Sequence, residues 1–289
     1  MFCPLTALAL LASMPDAAAL EARIAAVPGA EVSLVFRPLK GSAGLDLRGG
    51  VLFHAASTMK LAVLIELFRR SDAGALSLDR SLLLVNQFQS IVDRSHYALS
   101  PADDSDAELY ARVGTRVPIR ELAERMMTRS SNLATNALLA LLGGGRIQAT
   151  ARALGADTME VLRGVEDQKA YDRGLINRTS ARDLAALLEA VETGRAASPA
   201  SCGAMRTILL AQESNGEIPA GLPAGTRVAH KTGSIKATLH DAAIVYPAAA
   251  PPYLLVVLTH GIPDEKVAQA LIADLSRMVY AAHAVVRGQ

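Results

Sequence analysis

Ser57-Thr58-Met59-Lys60 heads the apolar run Leu61-Ala62-Val63-Leu64-Ile65-Glu66-Leu67-Phe68. The run reads as a helix opened by Ser57, extending to about residue 70 and stopped by Gly74. Two more triplets follow in order, Ser130-Ser131-Asn132 and Lys231-Thr232-Gly233. Working outward, residues 31–37 alternate, with Val32, Leu34 and Phe36 on one face of a half-buried strand. Residues 38–44 read as a turn and residues 45–47 as a second strand broken by Gly49-Gly50. A short amphipathic helix over 20–27 precedes them, stopped by Pro28-Gly29.

Beyond the apolar helix the chain is helix-rich. Residues 103–106 form an acidic stretch that reads as a solvated loop. Ile119, Leu122 and Met126 share one helix face after Pro118, and further helices are expected over 132–142 and 146–154. Residues 163–178 show neither helical nor strand period and read as a long ordered loop, a feature that is uncommon and often functional. Ser180 with Asp183 reads as a variant capping box for a helix through residue 191. Pro199 after Ser198 starts the next helix. Strands return over 228–232, 240–246 and 253–260, followed by a long helix over 264–283. This order predicts an α+β fold: an antiparallel sheet of about five strands, built from both chain ends and flanked by helices, with a helical lobe inserted.

With 289 residues, half of them apolar, the chain suits one large domain or two interleaved lobes. A net charge of +1, no basic runs and few aromatics argue against nucleic acid and anionic membranes as partners. Cys3 and Cys202 lack metal-ligand spacing, and a disulfide between them would not survive removal of the N-terminus. No metal or cofactor is expected, since there is no H-E-x-x-H and no paired Cys/His. Residues 1–19 read as a signal peptide or its remnant, lacking the basic n-region, with cleavage near Ala17–Ala19. That implies a periplasmic or secreted protein; the alternative reading of the same segment is a packed N-terminal helix on a cytosolic one. No segment is long and apolar enough to span a membrane.

The triplets supply matched chemistry. Ser57 and Lys60 lie three apart in one helical turn, so both side chains face one side. A serine hydroxyl needs a nearby base, and a lysine amine serves when burial and neighbouring cations lower its pKa. Ser130 can relay a proton, and Asn132 can both donate to and accept from an amide. Lys231, Thr232 and Ser234 suit a carboxylate, while Gly233 lets a ligand approach the backbone. Taken singly, each triplet is more simply a helix cap or a turn. In order, they are the parts of acyl transfer through a serine ester.

S-x-x-K, S-D-N and K-T-G are the motif set of class A β-lactamases and penicillin-binding proteins. The chain resembles this serine penicillin-recognising family over residues 20–283. The resemblance implies one catalytic domain over 20–289, with an α/β lobe of 20–56 and 215–289 around a helical lobe of 57–214. It implies a monomer acting on a β-lactam or an acyl-D-Ala-D-Ala-like small molecule. Ser57 would attack the carbonyl, Lys60 deprotonate it, and Ser130 pass the proton to the leaving nitrogen. Asn132 would hold the substrate amide, and Lys231, Thr232, Gly233 and Ser234 would form its carboxylate site. The backbone N–H groups of Ser57 and Ser234 would form the oxyanion hole.

Two departures stand out. Ser131 replaces the family's structural Asp. Glu166 matches the deacylating glutamate, with Asp167 a weaker candidate, but Ala170 replaces the asparagine four residues on. The rivals are therefore a D-Ala-D-Ala carboxypeptidase or esterase with slow lactam turnover, and a non-catalytic penicillin sensor. His230 and His240 flank the Lys231 strand and read as hydrogen-bonded sheet histidines. Tyr97 and Tyr110 are candidates for an aromatic wall on the pocket.

Overall fold

The computed structural model describes residues 14–40 and 44–284. Its middle is an antiparallel sheet of β1 (Glu31–Pro38), β2 (Leu45–Leu47), β3 (Arg227–Ile235), β4 (Thr238–Tyr246) and β5 (Tyr253–His260). The spatial order is β2-β1-β5-β4-β3, so both ends of the chain build one sheet, as expected. The helices are α1 (Ala17–Ala25), α2 (Lys60–Asp72), α3 (Ile119–Thr128), α4 (Asn132–Leu142), α5 (Gly144–Ala153), α6 (Gln168–Asp172), α7 (Ala181–Glu192), α8 (Pro199–Leu210) and α9 (Glu265–Ala284).

The sheet separates two cores. On one face Leu34, Phe36, Leu255 and Val257 meet Leu20 and Ile24 of α1 and Leu271 and Leu275 of α9. On the other, Val35, Ile244, Leu254 and Val256 join the helices of the middle of the chain, including Leu184 and Leu188 of α7. Covering on both sides corrects the half-buried reading of the first strand: Val32 through Phe36 are all buried. α2 is buried along residues 60–68, as a helix apolar around most of its circumference must be.

Local chemistry sets the helix ends. Ser180 and Asp183 form a reciprocal capping box on α7, each accepting the other's backbone N–H. Ser198 caps α8 ahead of Pro199. Asp16 Oδ1 accepts from Ala18 N at 2.9 Å and Ala19 N at 3.3 Å, so the expected cleavage zone at Ala17–Ala19 is the first turn of a capped helix. Residues 1–13 of the expected signal segment, with Cys3, lie outside the described residues; Cys202 is buried and carries no disulfide among them.

Several expectations shift. Ser57 does not open the α-helix; it sits in a 3-10 turn, Ala56–Met59, one turn before it. The strand bearing Lys231 runs on to Ile235 because β4 pairs with it through Thr238↔Ile235. The loop over 163–178 contains the short helix α6. The acidic stretch is not solvated: Asp104 and Asp106 are buried. Asp106 is ion-paired to Arg125 at 2.8 Å and to Arg129 at 3.5 Å. Those partners stand on α3 and just past its end, too distant in sequence for local reading to find. Among the described residues, no helix is long and apolar enough to cross a membrane.

Candidate active site

Three peripheral segments bring the triplets together. The 3-10 turn of Ser57 abuts β3, where a Cβ on Gly233 would stand 3.0 Å from both Ser57 N and Thr58 N. Only glycine leaves room for the strand to come this close. Arg129 ends α3, and Ser130 takes a left-handed φ of 59° before Ser131 caps α4 by accepting from Ala134 N. Ser131 is therefore the cap, and Ser130 is released for other partners. Asp104 supplies further support: it accepts from Asn132 N at 3.0 Å, Leu133 N at 2.9 Å and Tyr110 Oη at 3.0 Å.

The two lysines are completely buried. Lys60 Nζ donates to Ser130 O at 2.6 Å and Asn132 Oδ1 at 2.9 Å, with Ser130 Oγ at 3.2 Å. Lys231 Nζ donates to Thr232 O at 2.9 Å and to Ser130 Oγ at 3.0 Å. The Ser130 hydroxyl thus stands between two amines. Burial, then the Lys231 charge, push Lys60 well below the usual lysine value, against the pull of Asp104 and Glu166. Burial likewise lowers Lys231 to about 7, opposed by Asp241 and Glu217. A neutral Lys60 amine has two N–H groups, which match the Ser130 carbonyl and the Asn132 amide oxygen, and its lone pair is left over. This burial excludes a solvent-facing Lys60.

Glu166 is half-buried in the loop, with φ 63°. Asn132 Nδ2 donates to its Oε1 at 3.0 Å, so one amide bridges Lys60 and Glu166. Burial raises the Glu166 carboxyl above its ordinary value; the Asn132 bond opposes this, and Asp104 and Asp103 add to it. The strained backbone is held by Asn136, whose Oδ1 accepts from Val165 N at 2.7 Å and whose Nδ2 donates to Val165 O at 2.9 Å. Gly164 permits this contact, since a Cβ there would lie 2.5 Å from Tyr97 Oη. Asn177 fixes the loop's base by accepting from Leu162 N and Arg163 N. Asp167 accepts from Ser90 Oγ, Ile91 N and Ala170 N, which ties its carboxylate into the loop.

Ser57, Asn132, Glu166 and Ser234 line one cleft of about 380 Å³, together with His54, Arg163 and Tyr171. Lys60 and Lys231 lie buried behind it, and Thr232 is buried beside Lys231. Tyr97 and Tyr110 support the scaffold from outside this lining: Tyr97 contacts Val165 O, and Tyr110 bonds Asp104. The aromatic side chain in the cleft wall is instead Tyr171, under the Arg163 guanidinium at 5.7 Å. His230 and His240 are buried sheet residues. His230 pairs with Asp241 at 3.0 Å, and burial drops His240 to about 4, so its Nε2–H donates to His54 O. Asn136 was detectable in the sequence, four residues after Asn132 on one helix face. Asp104 gave no such signal. Among the described residues, no group of three His, Cys, Asp or Glu side chains is arranged to hold a metal ion.

A model of the beta-lactamase enzyme family matches residues 16–283. The beta-lactamase AST-1 of Nocardia asteroides is 30% identical over 73% of this chain and 69% of its own. The crystal structure of a beta-lactamase from Sphaerobacter thermophilus superposes with a TM-score of 0.79 at 25% identity, over 93% of this chain and 98% of that one. The acyl-enzyme complex of a PBP-A mutant with penicillin G superposes at 0.78 and 28% identity, over 92% and 94%.

Proposed function

The chain belongs to the beta-lactamase enzyme family, and we propose that it hydrolyses β-lactam amides through an acyl-enzyme on Ser57. The observation that carries this reading is the Ser130 hydroxyl held between the buried amines of Lys60 and Lys231. Ser57 Oγ attacks the lactam carbonyl as neutral Lys60 takes its proton. The oxyanion meets the backbone N–H groups of Ser57 and Ser234. The C–N bond breaks as Ser130 passes a proton to the lactam nitrogen and recovers one from the lysine pair. The substrate carboxylate lies toward Lys231, Thr232, Gly233 and Ser234, and its amide toward the remaining N–H of Asn132. Glu166 then takes a proton from a water that attacks the ester carbonyl, and that proton returns to Ser57 Oγ as the ester C–O bond breaks.

The enzyme acts as a monomer in the periplasm or outside the cell, where its substrates arrive. The test is turnover of the chromogenic cephalosporin nitrocefin beside Ser57→Ala, with intact mass after mixing. Rapid turnover lost in Ser57→Ala is expected. A single persistent adduct on the wild-type protein would favour a penicillin-binding enzyme or sensor instead, the reading that Ala170 motivates.

A further inference from the structure

A second cleft of about 700 Å³ adjoins the catalytic one, and His54, Tyr171 and Ile235 line both. Its floor follows from strand register. Ile235 pairs with Thr238, Thr238 with His260, and His260 with Glu31, so these four residues form one cross-strand row. Paired residues share a sheet face, and neighbouring strands lie about 4.8 Å apart, so the row leads roughly 10 Å from Ile235 to His260. Thr238 Oγ1 and His260 Nδ1, 2.8 Å apart, tie its middle. Across from the row, Arg178 is paired in register with His54.

The charges in this cleft are of both signs. Arg178 and Lys236 line it, and neither makes an ion pair among the described residues. Glu31 and Asp172 line it too, and neither is in an ion pair there. The ordering along β3 sets the direction of a substrate: Lys231 marks the carboxylate end, Ser234 the reacting carbonyl, and Ile235-Lys236 the way out. A substrate anchored at Lys231 and Ser57 therefore projects its acyl side chain past Ile235 into the second cleft. The mixed lining complements a group carrying both a carboxylate and an ammonium.

We infer that this cleft is a subsite for the far end of an extended acyl side chain that terminates in an α-amino-acid zwitterion. The inference rests on the β-lactam reading for the direction of the substrate. A six-carbon acyl chain extends roughly 6 Å, which carries its end over Thr238 toward Lys236, Arg178 and His260. The ammonium then faces Asp172 or Glu31.

The experiment measures equilibrium binding to Ser57→Ala by calorimetry, so that no turnover is needed. Three cephalosporins with one nucleus are compared, carrying aminoadipoyl, adipoyl or thienylacetyl side chains. Binding is expected to weaken in the order aminoadipoyl, adipoyl, thienylacetyl, the first about tenfold tighter than the last, the scale of two partly exposed ion pairs. Arg178→Gln with Lys236→Gln should remove the advantage of the adipoyl compound over the thienylacetyl one, weaken the aminoadipoyl compound by a similar factor, and leave thienylacetyl binding unchanged. Equal binding of all three compounds, or an adipoyl advantage that survives the double substitution, would overturn the subsite. Nitrocefin turnover by the wild-type protein is scored separately: its absence with the preference intact counts against the hydrolytic reading and leaves the subsite standing.

Discussion

The amine cluster and the Glu166 loop do adjacent halves of one reaction, yet they are built differently. Lys60 opens α2, Lys231 lies mid-strand in β3, and Ser130 stands in the two-residue junction before the Ser131 cap of α4; both lysines are wholly buried. The geometry of the lysines follows from the helix and strand that carry them, and that of Ser130 from the capped helix start beside it. Glu166 sits half-buried on irregular backbone at φ 63°, in a loop held by Asn132 and Asn136 of α4 and by Asn177 at the loop's own far end. Chemistry that must be preorganised is placed on rigid elements, while the step that needs water is placed on a loop pinned by side-chain amides.

The largest contrast comes from removing each half's base. Lys60→Met should lower the acylation rate by about 10³–10⁴-fold in stopped-flow mixing with nitrocefin. Glu166→Gln should leave acylation near the wild-type rate and slow release by about 10²–10³-fold, seen as an adduct that persists by mass. Equal losses in both steps for both variants would erase the division between cluster and loop.

Protonation sharpens it further. Lys231 must be charged to receive a carboxylate, and its value of about 7 places that loss near neutrality. kcat/KM for an anionic lactam should therefore fall as pH rises past about 7, while the raised Glu166 carboxyl displaces the acid limb of kcat upward. Lys231→Arg should keep its charge and push the alkaline limb above about pH 9, with a plateau roughly tenfold lower. Stability carries the opposite sign. The unfolded lysine, near 10.4, binds more protons than the folded one between that value and about 7, so stability from this site rises with pH across the window. Urea denaturation of Lys231→Met should show a flatter dependence there.

Smaller effects probe the supports. Asp104→Asn leaves weaker acceptors for two backbone N–H groups and the Tyr110 hydroxyl, and should cost about 2 kcal/mol with a several-fold drop in kcat/KM. Asn136→Ala should slow release more than acylation. Ser180→Ala removes one half of the α7 cap, where the side chain bonds only Thr158 and Asp183, and should cost about 1 kcal/mol by thermal denaturation with activity unchanged.

The sequence alone determined the sheet-helices-sheet order, the caps at Ser180 and Ser198, and the residues of the three triplets. These depend on hydrophobic period and short-range hydrogen bonds, which are encoded within a few positions. Only the tertiary structure decided that Asp104 is buried beneath Asn132, that Asp167 is tied into the loop, and that one amide joins Lys60 to Glu166. It also placed Tyr171 in the cleft wall, where Tyr97 and Tyr110 had been the candidates. Those facts depend on contacts between residues tens of positions apart, and a polar side chain's partner in a folded core is set by packing that no local pattern records.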